Sequence, residues 1–255
     1  MADKFRLDNK VAVVIGGAGG IGEACALELA RQGAKVVVAS RNKANLQAVA
    51  EKIHSETGSE TGAFQVDVTD EESAKQLADQ VVEKYGSVDI LVNTHGINKK
   101  GPPLDFPMES WDQLFEVNVK GMMIACRAFG KIMIEKGKGK IINMSSVRGI
   151  RATDGGNVTY GATKGAVDMI TRMLAAEWAP HNINVNALAP SLVLTEAIKK
   201  AVAPERLKKL AESSLFKRLG TPEEMAGACV FLASEASDFM TGQILYVDGG
   251  LTAVG

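Results

Sequence analysis

The chain has 255 residues, of which 46% are hydrophobic and 23% charged, with 29 Lys plus Arg against 30 Asp plus Glu. That composition suits a globular protein with a sizeable core, and a net charge of −1 argues against a nucleic-acid coat or a polybasic membrane binder. No apolar run reaches the ~18 residues of a membrane span, and the start, MADKFRLDNK, has no apolar signal core. A cytoplasmic protein with no nucleic-acid or membrane partner is expected. Cys25, Cys126 and Cys229 lie far apart and form no CxxC pair; they read as small buried side chains in a reducing compartment. No metal is expected.

Short apolar runs at residues 11–15, 35–40, 63–67, 89–93, 140–144, 182–188 and 244–247 read as strands. Most are continuous Val/Ile/Leu runs, the pattern of strands covered on both faces, which favours a parallel sheet. Between them lie amphipathic segments. Over 73–85 the apolar set Ala74, Leu77, Ala78, Val81, Val82 and Tyr85 follows helical spacing, and a second set runs from Trp111 to Cys126. Gly33 and Gly86 follow helical stretches as C-terminal caps do. Strand–helix alternation implies right-handed βαβ units in an α/β, doubly wound (Rossmann) fold with a seven-stranded parallel sheet, rather than an eight-stranded barrel. No linker or repeat divides the chain, so one domain over 1–255 is expected.

The first strand runs into Gly16-Gly17-Ala18-Gly19-Gly20-Ile21-Gly22 and then a helix. Gly16, Gly20 and Gly22 give GxxxGxG; Gly17, Gly19 and Gly22 give GxGxxG. Absent side chains let the backbone approach a pyrophosphate, and the helix presents free N–H groups and its positive dipole end to it. The second strand ends in Ser40-Arg41-Asn42-Lys43, without the carboxylate that binds the ribose hydroxyls of NAD. Arg41 and Lys43 can pair with a 2′-phosphate and Ser40 can hydrogen-bond it, so NADP(H) is the expected preference, with NAD(H) left open.

Further along, Tyr160 and Lys164 stand four apart on a helical segment and share one face. Ser145 and Ser146 follow the fifth strand, at the sheet edge where open α/β folds bind ligands. With GxxxGxG, Asp67-Val68, Asn93-xx-Gly96, Asn118-Val119, Ser146, Tyr160-xxx-Lys164, Pro190-xxxx-Thr195 and Tyr246-Val247-Asp248-Gly249-Gly250 in this order, the sequence resembles the short-chain dehydrogenase/reductase family over essentially its whole length.

The resemblance implies an oxidoreductase in which Tyr160 is the general acid/base, Lys164 its activator, Ser146 the donor to the substrate carbonyl and Asn118 the support of a proton relay. A free phenol ionises near pH ~10, and moving it to ~7 takes ~4 kcal/mol. An ammonium ~4 Å away at an effective dielectric of ~20 supplies about that much. Cofactor contacts are implied at Gly16, Gly19, Gly20, Ile21, Gly22, Ser40, Arg41, Asp67, Val68, Asn93, Gly96, Tyr160, Lys164, Val193 and Thr195. Three positions depart from the family pattern. Ile15 replaces the usual Thr, removing a local hydrogen bond; Thr94-His95 replaces Asn-Ala; and Pro190-Ser191 replaces Pro-Gly, stiffening the loop over the nicotinamide.

A lid is expected at about 191–220, with Leu207, Leu210 and Leu215 on an amphipathic helix whose lysines face water. Arg148, two residues after Ser146, is read as a carboxylate clamp for an anionic substrate or as a loop anchor, and Ser146, Arg148 and Tyr160 form the substrate set. Residues 145–149 and 174–180 are similar to gluconate 5-dehydrogenase-like members, which implies a sugar acid or sugar as small-molecule substrate. The alternatives are a 3-oxoacyl-(acyl carrier protein) reductase and, more remotely, a non-catalytic dinucleotide sensor. By family expectation the chain forms a homotetramer or homodimer.

Overall fold

In Val11–Ile15 alternate side chains point to opposite faces, and both faces are buried. Ala12 and Val14 join one apolar cluster; Val13 and Ile15 join another. A run with no polar position is what a strand sandwiched between helices requires. The computed structural model describes residues 3–254 and holds seven strands among them.

In chain order the elements are β1 (Val11–Ile15), α1 (Gly20–Arg31), β2 (Lys35–Ser40), α2 (Lys43–Thr57), β3 (Thr61–Gln65), α3 (Glu71–Tyr85), β4 (Ile90–Asn93), α4 (Met108–Phe115), α5 (Gly121–Lys136), β5 (Gly139–Met144), α6 (Val158–Trp178), β6 (Ile183–Pro190), α7 (Glu196–Ala201), α8 (Pro204–Ala211), α9 (Pro222–Ala233) and β7 (Ile244–Val247). The sheet order is β3-β2-β1-β4-β5-β6-β7, and every pair is parallel. This is the expected doubly wound α/β sheet.

One cluster packs Leu29 of α1, Ile53 of α2 and Met225 of α9 on the sheet; the other packs Leu77 of α3, Phe129 of α5 and Val167 of α6. Cys25 and Cys229 belong to the first and Cys126 to the second, all buried and unpaired. Asp70 opens α3 by accepting the Glu72 N–H, and Gly86 closes it in the left-handed conformation. No described helix is long and apolar enough to cross a membrane.

Among the departures from the sequence expectation, three bear on the site. The third strand begins at Thr61, because its pairing starts where Thr61 meets Val36, and Asp67 lies in the turn beyond it. There the Asp67 carboxylate accepts the Thr69 N–H and hydroxyl, a local turn that competes with extension of the strand. The helix expected through 111–126 is interrupted by a π-helical turn over Glu116–Lys120, in which the Gly121 N–H reaches back to the Glu116 carbonyl. The expected lid helix is two short helices. Pro204 begins the second, and Leu215 lies past its end, exposed.

The chain order reverses between β3 and β4, so β1 and β4 are neighbours whose following turns run apart to opposite sides. That switch point opens a crevice at the carboxyl ends of the strands. The glycine turn after β1 and Thr94-His95-Gly96 after β4 meet there.

Candidate active site

The glycine turn is set by close approach. A Cβ on Gly16, whose φ is +86°, would lie 2.7 Å from the His95 backbone nitrogen, and one on Gly22 would run into the Gly16 carbonyl. The Thr94 hydroxyl donates to the Ile15 carbonyl at 2.8 Å and ties this turn to β4. A Cβ on Gly19 would meet nothing within 4 Å, so the amino end of α1 is open on that side. Gly20 starts the helix with Thr195 above it, the Thr195 methyl 3.4 Å from where a Gly20 Cβ would stand. Ile21, next along, is half-buried against the α1 cluster.

Beside the turn lies a cavity of about 240 Å³ whose walls include Gly16, Ser40, Arg41, Val68, His95 and Gly96. Ser40 ends β2, and Arg41 follows it with an exposed side chain. Lys43, the first residue of α2, is exposed as well. Hydrogen bonds from the Thr69 N–H and hydroxyl hold the Asp67 carboxyl below its usual range, with the nearby Arg41 charge acting the same way. Val193 is buried and bridges to Gly220; Thr195 caps α7 by accepting the Ile198 N–H. Both therefore hold the lid base over the glycine turn.

Asn93 sits differently. Its amide donates to Asn143 Oδ1 at 3.0 Å inside the core, and Asn143 in turn donates to the Thr171 hydroxyl. The side chain knits β4, β5 and α6 together and turns away from the crevice. His95 is packed: both ring nitrogens are out of solvent contact and find no hydrogen-bond partner among the described residues. Burial, with the charges of Lys164 and Arg41, lowers the imidazole pKa to about 3, so the ring is neutral.

The residues expected to transfer the proton converge from three elements. Asn118 projects from the π-helical turn; its Oδ1 accepts the Ile97 N–H at 2.8 Å and its Nδ2 donates to the Ile97 carbonyl at 2.9 Å. The same amide lies 3.2 Å from the Thr163 hydroxyl, which donates to the Tyr160 carbonyl. A π turn of this kind re-aims one residue without ending a helix, which is why such turns occur at functional sites. Ser146, just past β5, accepts the Arg148 N–H at 3.2 Å and donates to the Pro190 carbonyl at 3.4 Å, and it acts to lower the pKa of the Tyr160 phenol. Lys164, 3% exposed, donates to the Met144 carbonyl at 2.6 Å and lies over the Tyr160 ring, 5.6 Å from its centroid. Gly96 closes the group: a Cβ there would stand 3.3 Å from Asn118 Oδ1 and 3.9 Å from Lys164 Nζ.

The electrostatics correct one expectation. Burial raises the Tyr160 pKa above that of a free phenol; the Ser146 hydrogen bond and then the Arg148 charge oppose it. Lys164, over the ring face, does not offset that burial in the protein alone. Burial lowers the Lys164 pKa to about 8. Arg148 donates through Nη1 to the Arg151 and Ala152 carbonyls at 3.3 Å. Of its two sequence readings, loop anchoring is the contact the structure contains, made to backbone carbonyls rather than to an acid.

A family model described as Enoyl-(Acyl carrier protein) reductase matches residues 16–252. The chain belongs to the short-chain dehydrogenase/reductase family. It is 41% identical to the NAD-dependent glycerol dehydrogenase of Listeria innocua over 251 residues, 97% of this chain and 96% of that one. It is 38% identical to the gluconate 5-dehydrogenase of Gluconobacter oxydans, covering 98% and 97%. Its fold superposes with a TM-score of 0.94 on a gluconate 5-dehydrogenase from Burkholderia cenocepacia in complex with NADP and tartrate, at 37% identity and 99% coverage of both chains. As a short-chain dehydrogenase/reductase, the protein is an oxidoreductase acting on alcohol and ketone groups.

The residues present fit a nicotinamide dinucleotide: the turn is open at Gly19, and His95 carries two buried unpartnered nitrogens beside the cavity. Sequence reasoning singled out Thr94 as a departure from the family pattern without giving it a role, and missed Thr163 and Asp168. Thr163 carries no signal of its own, whereas Asp168, a carboxylate four residues after Lys164 on an apolar helix face, could have been singled out.

Proposed function

We propose that the protein interconverts a carbonyl and a secondary alcohol of a small polyhydroxy acid or sugar, with NADP(H) as preferred cofactor. The observation that carries this is the meeting of Ser146, Tyr160, Lys164 and Asn118 at the crevice, with Arg41 and Ser40 on its far wall. A bound nicotinamide would supply or accept the hydride. In reduction Tyr160 gives its hydroxyl proton to the substrate oxygen, while the Ser146 hydroxyl donates to the same oxygen and stabilises its developing negative charge. In oxidation Tyr160 takes the alcohol proton. Lys164 passes the proton onward, and the Asn118–Ile97 pair fixes the geometry that supports this relay. The Gly16–Gly22 turn, Val68, Gly96, Val193 and Thr195 hold the dinucleotide.

A phenol whose pKa burial has raised stays protonated at neutral pH, so the donor for reduction is present, whereas populating the phenolate that oxidation requires needs an added positive charge. An oxidised nicotinamide would bring that charge. Arg148, half-buried with its charge acting on Tyr160, suits a substrate carboxylate, and the relative holding tartrate binds a polyhydroxy acid. The exposed Lys200, Lys208 and Lys209 on the lid favour a second reading, reduction of a 3-oxoacyl group on an acidic carrier. The chain is expected to work as a homotetramer or homodimer, checked by light scattering.

A nicotinamide-absorbance screen over sugar acids, polyols and keto-thioesters with both cofactors tests this. Turnover of sugar acids or polyols with NADP is expected. Activity on acetoacetyl thioesters and none on sugar acids would reverse the order of the two readings.

A further inference from the structure

One buried carboxylate has no part in the chemistry above. Asp168 is 4% exposed and lies on α6 one turn beyond Lys164, on the same helix face. Its Oδ1 accepts a hydrogen bond from the Ser145 hydroxyl, next in sequence to Ser146. Its Oδ2 presses on Gly149, where even a Cβ would collide with it. The carboxylate thus touches both ends of the turn that carries Ser146 and stands behind the lysine that serves Tyr160. We infer that Asp168 is a positioning residue, acting on Lys164 through its charge and on the Ser146 turn through Ser145.

The surroundings support this. The groups facing Asp168 are Lys164 and Arg172 on α6, the Ser145 hydroxyl after β5 and Tyr246 on β7. Those facing Lys164 are Asp168 itself, the Tyr160 ring, the Met144 carbonyl and neutral His95. Burial disfavours an ammonium at Lys164, and the one charge that favours it is Asp168. Burial likewise raises the Asp168 pKa, while the Ser145 hydrogen bond and then the charges of Arg172 and Lys164 lower it. Each buried charge is supported by the other; a lone one would be discharged by loss or gain of a proton. With Lys164 near 8, losing one pH unit of support would leave only about half of it charged at neutral pH.

This inference rests on the role given to Lys164 under the proposed function, and the two fail separately. Retained turnover in Lys164→Met would reject the role. The test of Asp168 needs no substrate: the ligand-free protein, labelled with 13C in lysine and aspartate, is titrated by NMR. In Asp168→Asn, which keeps an oxygen acceptor for Ser145, the Lys164 midpoint should fall by about one pH unit. An unmoved or raised midpoint overturns the inference, because a purely structural carboxylate would leave it unchanged. Should that variant not fold, the wild-type protein decides: the Asp168 carboxyl carbon should report a second step at the Lys164 midpoint, and its absence overturns the inference.

Discussion

The Thr94 hydroxyl donates to the Ile15 carbonyl at 2.8 Å, joining the ends of β1 and β4 at the bottom of the crevice. A hydroxyl that the family pattern would put at position 15 is supplied from the neighbouring strand. The bond lies beside Gly16 and Gly22, each of whose Cβ atoms would meet Thr94 Oγ1. It therefore fixes how closely the glycine turn sits on the strand that follows it. Thr94→Val keeps the shape and removes the donor. It should destabilise the protein by about 1 kcal/mol and weaken dinucleotide binding several-fold, read by urea unfolding and by fluorescence quenching. Unchanged binding would show that the turn holds its position without this bond.

Asn118 makes both hydrogen bonds of a backbone amide to Ile97, replacing the pairing that a strand neighbour would give. Asn118→Ala leaves the Ile97 N–H and carbonyl unsatisfied in a partly buried place. We expect a loss of about 2 kcal/mol in unfolding free energy and a fall in turnover larger than the fall in cofactor affinity. A variant as stable and active as the parent would contradict the role of the π-helical turn.

Tyr160→Phe should lose nearly all turnover, by at least roughly a hundredfold, and still bind dinucleotide. The raised phenol pKa adds a spectroscopic expectation. Ultraviolet titration of the ligand-free protein should show Tyr160 ionising above free tyrosine, and addition of oxidised dinucleotide should bring it down. Ionisation at the free-tyrosine value in both states would sink the acid/base assignment.

His95 sets a pH dependence with a definite sign. Its pKa in the folded chain is about 3, against an ordinary value near 6.5 when unfolded. Between those values the unfolded chain binds the extra proton, so stability falls as pH drops through this window and is unaffected above it. At full slope the loss is about 1.4 kcal/mol per pH unit. Urea unfolding at pH 7, 6 and 5 should show the decline, and His95→Asn should flatten it. Equal slopes for both proteins would reject the assignment.

Arg41 lies at the cavity wall with an exposed side chain and no carboxylate after β2 to replace it. Arg41→Ala should raise the KM for NADP by roughly tenfold to a hundredfold, the worth of one charge-assisted hydrogen bond, and leave that for NAD nearly unchanged. Equal losses with both cofactors would remove the NADP preference.

The sheet was legible because burial on two faces writes itself into sequence. Val36, Val37, Val38 and Ala39 carry no polar position, and all are buried, alternately in one cluster and the other. The glycine turn was legible for a similar reason, since backbone contact forbids a side chain at Gly16 and Gly22. The Tyr160–Lys164 pair was legible because helical spacing is local. Less visible were the break at Glu116–Lys120, the inward turn of Asn93 and the split lid, where a distant partner or a single proline decides the backbone path.

What the amino-acid order determined by itself was the set of elements, their parallel pairing and the kinds of group brought to the crevice, because period, turn chemistry and spacing act over a few residues. Only the tertiary structure decided what those groups experience. Tyr160 is made less acidic by its burial, His95 is kept neutral, and Lys164 depends on Asp168 behind it and Met144 beneath. Solvent exclusion and charge–charge distance are properties of the packed chain, and they set the working state of each residue that the sequence could only name.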